Sequence, residues 1–200
     1  MSQFNPLDLS TLKAHSTYAR PYFSNPGPVR ITASALETMT DLKFVPAAIV
    51  LGDADLETAT HKMIARGVRS LLVVDASEDV IGIVTARDAM GERPGEVMSR
   101  RGISFQEIKV ADVMTPADQV EVLPLDAVLH AHVGDIVETL KGSSRQHALV
   151  VEDDPILNRP VIRGIFSATQ IARQLGIALQ TLELSQTFAE IDRAILAKNG

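Results

Sequence analysis

GIVTARD stands at residues 82–88 and GIFSATQ at residues 164–170. Each opens on Gly and a β-branched residue and reaches a hydroxyl three places later, at Thr85 and Ser167. The first phrase closes on Asp88, whereas the second has Gln170 at the matching place. A phrase written twice calls for a longer repeat, because a missed repeat misassigns the whole fold.

Working upstream, LLVVD (71–75) and the short link ASED precede the first phrase. ALVVE (148–152) and the longer link DDPILNRP precede the second. Each half therefore predicts two short buried strands joined by a turn. Pro155 and Pro160 are expected in the second turn, since proline suits a loop better than a ladder.

Farther back, Val133, Ile136, Val137 and Leu140 fall at i, i+3, i+4, i+7, one apolar helical stripe. Leu56, Ala59, Thr60 and Met63 repeat that spacing 77 residues earlier. Asp53 is the expected N-cap of the first helix and Gly67 its stop. Gly142 is expected to close the second in a left-handed conformation. Strands AAIVL (47–51) and QVEVL (119–123) precede the helices, and the pairs Met39-Thr40 and Met114-Thr115 precede the strands. The offset between copies grows from 75 to 77 to 82, which two small length changes explain. The predicted fold class is α+β: two βαββα units, each too small to bury its own sheet, packed around a pseudo-twofold axis.

The expected boundaries are an N-terminal arm and lead-in helix over 1–36, a first domain over 37–92, a linker over 93–110, a second domain over 111–178 and a helical tail over 179–200. Within the linker, Ser104 and Glu107 make a capping-box pattern expected to start a short helix running into Met114. Toward the tail, Ile171, Leu175, Leu179 and Leu182 recur on one helical face, and Phe188, Ile191 and Ile195 mark a second stretch restarted at Thr187 and Glu190.

Composition removes several functions. A formal charge of −6 over 200 residues argues against nonspecific nucleic-acid binding. The absence of Cys excludes disulfides, zinc–thiolate sites and cysteine nucleophiles. MSQFNPLDLS does not read as a secretory signal, and no apolar run approaches the roughly 20 residues of a membrane span, so the expected location is cytoplasmic. No metal site is expected: His130 and His132 are two apart, His147 stands alone, and no HExxH occurs. No triad, P-loop or GxGxxG phrase occurs either, and no enzyme is expected.

The repeated phrase still carries chemistry. Free N–H groups where a strand meets a helix near Ala86 favour an anion. The Thr85 hydroxyl and Arg87 are within reach of a phosphate there, and the Asp88 carboxylate suits the two hydroxyls of a ribose. Ile49, Val50, Leu71 and Leu72 are candidate walls for an adenine. The competing reading makes Asp88, Thr85 and Ser167 plain helix caps.

Together the VMTPADQVEVL, VIGIVTARD and ALVVE…GIFSATQ stretches resemble a tandem pair of CBS (cystathionine β-synthase) domains, the Bateman module, over roughly residues 37–178. The resemblance implies a regulatory module that binds AMP, ADP, ATP, S-adenosylmethionine or NAD, with or without magnesium, between the domains. It also implies a homodimer that signals to a regulated partner protein. It assigns the ribose to Asp88 and the phosphate to Thr85 in a first nucleotide site, for which Arg87, Ile49, Val50, Arg69 and Ser70 are the further candidates. A weaker second site takes Ser167, Gln170, His147 and Thr115. The alternative is a CBS-pair scaffold that binds a partner and no small molecule.

Overall fold

The computed structural model describes residues 27–143, 145–177 and 188–193. Its elements run β1 (Thr40–Asp41), β2 (Ile49–Leu51), α1 (Leu56–Arg66), β3 (Ser70–Val74), β4 (Val80–Thr85), α2 (Ala86–Met90), α3 (Arg93–Arg101), α4 (Val110–Val113), β5 (Thr115–Pro116), β6 (Val122–Pro124), α5 (Leu125–Leu129), α6 (Val133–Gly142), β7 (His147–Asp154), β8 (Arg159–Ser167) and α7 (Ala168–Gln174). Two four-stranded sheets form, in the orders β2-β3-β4-β5 and β1-β8-β7-β6. The repeat is therefore an α+β pair of mixed sheets, as the sequence predicts.

The two halves exchange their lead strands. β1 precedes the first repeat in sequence yet pairs antiparallel with β8 of the second sheet. β5 precedes the second repeat and pairs with β4 of the first. The repeated Gly makes this possible. A Cβ built on Gly82 would lie 2.5 Å from the Thr115 carbonyl oxygen and 2.9 Å from the Met114 sulfur. A Cβ on Gly164 would lie 2.5 Å from the Met39 sulfur. So the Met-Thr pair and the Gly phrase are two sides of one contact: each methionine seats on the other half's glycine. Both glycines also follow a bulge, with the register of each hairpin shifting between Val73 and Val74 and between Val150 and Val151.

Each sheet covers its own helices. The first core gathers Val50, Leu56, Ala59, Met63, Leu71, Val73 and Val84, and it takes in Val97, Ile108 and Val110 from the segment expected to be a linker and Val113 from the start of the expected second domain. α3 is therefore part of the first body. The second core gathers Val133, Ile136, Val137, Leu140, Val150, Phe166 and Ile171, together with Ala35 and Met39 from the chain's other end and Phe188 and Ile191. Each buried Leu, Ile or Val contributes about 1.5–3 kcal/mol relative to exposure. A third cluster, Leu72, Ile83 and Leu149 with Ile165 against them, joins the outer faces of the two sheets.

Several local expectations change. The N-cap of α1 is Asp55, not Asp53, and its carboxylate accepts from the Thr58 N–H at 2.7 Å. Gly67 does stop that helix, at φ 63°. Gly142 lies inside α6, which ends on Ser143 in a right-handed conformation. Pro160 stands within β8, opposite Asp153. β1 reaches only Gly164 and Ile165, so at Pro160 the outer side of β8 needs no ladder N–H. Ser104 and Glu107 do close a capping box, with the Ser104 N–H donating to Glu107 Oε2 at 2.9 Å, but it starts a single turn over Phe105–Glu107. α4 begins separately, where the Lys109 N–H donates to Asp112 Oδ2. α7 stops at Leu175, followed by Gly176 at φ 76°, and Thr187, Leu179, Leu182 and Ile195 lie outside the described residues.

Candidate functional site

A cavity of about 160 Å³ opens between the two halves, lined by Ile83, Thr85, Arg87 and Asp88 of the first half, by Thr115 of the exchanged strand β5, and by Val120, Glu121, Arg145, Gln146, His147 and Leu149 of the second half. β4 delivers Thr85 to its end, and α2 starts there with Asp88 one turn in. β5 brings in Thr115 through the exchanged pairing with Ile83. β7 brings in His147 at its first residue.

The hydrogen bonds at the α2 start are closed on themselves. The Thr85 N–H and hydroxyl donate to Asp88 Oδ2 at 2.9 and 2.7 Å, and the Asp88 N–H donates back to Thr85 Oγ1 at 3.2 Å. This is a capping box. Asp88 Oδ1 is held by Arg93 Nη1 at 2.9 Å. The Thr85 hydroxyl, expected to donate to phosphate, thus spends its proton on Asp88. Arg93, the counter-ion, is not among the residues expected at the site, and its local signal in the sequence is Pro94, which marks a new helix start.

The charges that remain are positive. Arg93 neutralises Asp88, and Arg145 Nε lies 3.1 Å from Glu121 Oε2. Arg87 is exposed, and its guanidinium pairs with no carboxylate among the described residues. Arg69 Nη1 is buried without a hydrogen-bond partner among the described residues. Burial, with the Arg69 cation beside it, pushes the His147 imidazole down to about 4, against the pull of Asp88. His147 is therefore neutral at pH 7. Its half-buried ring offers a neutral donor or acceptor to whatever occupies the cleft.

The structure regroups the residues expected in two separate sites. Thr115 and His147, assigned to the second, line the same cleft as Thr85, Arg87 and Asp88. Val50 and Leu71 are 1% exposed inside the first core and wall no cleft. The reason is strand alternation, which turns them away from the inter-sheet face that Leu72 occupies. Ile49 stands beside Leu72 on the edge strand β2, 41% exposed and outside this cavity. The apolar walls of the cavity are Ile83, Val120 and Leu149 instead. Ser70 pairs with Thr85 in the β3–β4 ladder, and the Arg69 carbonyl accepts from the Ala86 N–H. Ser167 precedes α7 without a side-chain cap bond, and Gln170 is half-buried in the first turn of that helix.

The other histidines take structural places: His130 ends α5, and the His132 N–H donates to Asp135 Oδ2 at 2.7 Å. No cluster of three or more metal-ligating side chains occurs among the described residues. No helix among them is long and apolar enough to cross a membrane.

The sequence model of one family, described as CBS domain, matches residues 35–95, the first copy of the repeat. No curated protein matches the sequence. Among solved structures, an uncharacterized conserved protein from Pyrococcus horikoshii aligns with a TM-score of 0.52 and 19% identity, over 76% of this chain and 99% of that one. The CBS domain pair of protein MJ0100, solved in complex with 5'-methylthioadenosine and S-adenosyl-L-methionine, aligns with a TM-score of 0.50 and 17% identity, over 74% and 98%. At such identities the likeness is one of fold. The family match and the shared fold agree within those bounds: residues 35–95 match the CBS-domain family, and the chain has the fold of a solved CBS-domain pair.

Proposed function

We propose that this protein is a regulatory module that binds an adenosine nucleotide in the cleft between its halves and signals occupancy to a partner protein. The observation that carries the reading is the cleft's composition. The exposed Arg87, which pairs with no carboxylate among the described residues, apolar Ile83, Val120 and Leu149, and Arg145 and neutral His147 line one space. That set suits a phosphate on the cations and a base on the apolar wall. The solved MJ0100 pair, which holds two adenosine compounds that carry no phosphate, supports the adenosine part of that ligand.

The cavity, about 160 Å³, is smaller than the roughly 300 Å³ at which small-molecule sites begin. A nucleotide must therefore part the halves or leave its phosphate outside. Because both halves line the cleft, a ligand that prefers the opened arrangement shifts their relation, which is the signal a partner would read. Pairing of two copies, magnesium and a cytoplasmic setting belong to the same proposal, and no catalytic step is assigned to it.

A scaffold without ligand is the second reading, favoured by one observation: both Asp88 oxygens already have partners. The test is thermal unfolding with AMP, ADP, ATP, S-adenosylmethionine and NADH, with and without magnesium. A ligand at about 100 times its dissociation constant adds roughly 2.7 kcal/mol to the folded state. Arg87→Gln is the diagnostic variant, since Asp88→Ala would also dismantle the cap of α2. A shift with one ligand, reduced by Arg87→Gln, supports the nucleotide reading. A folded protein that responds to none of the panel leaves the scaffold.

A further inference from the structure

Arg93 sits where the cleft meets the exchanged strand. A single nitrogen, Nη1, lies 2.9 Å from Asp88 Oδ1 and donates to the Val113 carbonyl at 2.7 Å. Val113 ends α4, and its carbonyl has no helical turn after it to bond. The next residues are Met114, whose sulfur sits over Gly82, and Thr115 with Pro116, the whole of β5. From β5 the chain continues directly into the second half, through the turn at Ala117–Gln119 to β6. One guanidinium thus joins the carboxylate of the cleft to the segment that carries the chain across.

The acceptor capacity of Asp88 makes this joint sensitive to a ligand. Oδ2 already takes two donors from Thr85, and Oδ1 takes Arg93. A carboxylate has about four acceptor sites, so a pair of ligand hydroxyls has to compete for Oδ1. Arg93 is half-exposed and able to swing toward water, whereas the Thr85 bonds are short and local. The weaker partner gives way first.

We infer that Arg93 is a positioning residue: it is the counter-ion that ligand hydroxyls displace from Asp88, and its displacement loosens the hold on Val113 and β5. Occupancy of the cleft is thereby conveyed to the strand exchange. This inference rests on the nucleotide reading of the same cleft. Removing the guanidinium has an opposite sign for binding and for order. Binding tightens, because the competitor at Oδ1 is gone, while β5 becomes looser without any ligand.

The experiment compares wild type, Arg93→Gln and Arg93→Lys as full chains, by AMP titration and by amide hydrogen exchange over residues 110–118. Arg93→Gln is expected to bind AMP about two- to fivefold more tightly than wild type. AMP is expected to raise exchange over 113–116 in wild type and to leave it unchanged in Arg93→Gln, where it is already fast. Arg93→Lys, which keeps the charge, is expected to stay near wild type. A merely structural role predicts the reverse sign for affinity. Binding that is no tighter in a folded Arg93→Gln, or an AMP response over 113–116 that survives the substitution, overturns the inference. If wild type and variant both ignore AMP and every other ligand of the panel, the nucleotide reading fails on its own. The ligand-free comparison then decides the joint: faster exchange over 113–116 in Arg93→Gln supports it, and unchanged exchange overturns it.

Discussion

Substituting Gly82 and Gly164 by alanine separates the two halves of the strand exchange. On Gly82 the added Cβ falls 2.5 Å from the Thr115 carbonyl oxygen, 2.9 Å from the Met114 sulfur and 3.3 Å from Pro116 Cα. Two of those three neighbours are backbone of β5, which is held to β4 by a two-residue ladder, so the strand itself must move. On Gly164 the neighbours are all Met39 side chain: Sδ at 2.5 Å, Cγ at 2.7 Å and Cε at 3.1 Å. A methionine has three rotatable bonds and adapts. Overpacking a rigid contact costs about 1–3 kcal/mol, whereas alanine in place of glycine within a strand returns about 0.5–1 kcal/mol. Gly82→Ala should therefore lower stability by about 1–2 kcal/mol net, or roughly 2–8 °C in Tm for a chain of this size. Gly164→Ala should cost less. The second-site variants sharpen the contrast. Met39→Ala should largely relieve Gly164→Ala, but Met114→Ala should not relieve Gly82→Ala, because the Thr115 carbonyl remains. Urea unfolding of the single and double variants closes both cycles. Equal costs at the two glycines, or full rescue of Gly82→Ala by Met114→Ala, would refute the backbone argument.

Three further outcomes follow from the structure. Gly67→Ala should destabilise by about 1 kcal/mol, because φ 63° forces a left-handed alanine, and differential scanning of the variant reads this directly. The His147 imidazole, depressed to about 4 from an ordinary 6.5, favours the fold while neutral. That contribution is whole above pH 6.5 and is lost as pH falls from there toward 4, so His147→Gln should flatten the stability profile in that window, and the ring's NMR titration should have its midpoint near 4. Hydrogen bonds from Thr58 hold the Asp55 carboxyl below its usual value, so its contribution is present above pH 4 and fades as pH falls further. Asp55→Asn, which keeps the cap, should lose less stability than wild type between pH 7 and pH 3 in the same urea assay.

How far the sequence could be read is clearest at the glycines. The period of the repeat, the strands LLVVD and ALVVE and the stripes of α1 and α6 follow from local pattern, and the structure has all of them. The exchange of β1 and β5 does not follow, since two residues carry too little pattern to name a partner strand outside their own copy, 32–34 residues back for β5 and 123–125 residues on for β1. What signalled it was chemical and not periodic: a methionine repeated once per copy and a glycine repeated once per copy, each explained only by the other. At the site, Thr85 and Asp88 were legible from their three-residue spacing, which is also that of a capping box, and the structure has that box. The grouping of Thr115 and His147 with them depends on the fold of the opposite half and was out of reach. Val50 and Leu71 were assigned to a cleft because a strand residue's face cannot be read without its partner strand. Arg93 is not singled out by sequence because residues 93–110 read as a linker, although Pro94 at the start of α3 and Val97 on its buried face mark a packed helix.

The central claim is that the cleft between the halves takes an anionic adenosine ligand, and calorimetric titration of AMP tests it most directly. The account predicts saturable binding in wild type, weakened roughly tenfold by Arg87→Gln, the loss of one charge-assisted contact. Arg145→Gln should weaken it in the same direction. Absence of binding by AMP and by ADP and ATP titrated in the same way, or binding that neither substitution alters, would contradict it.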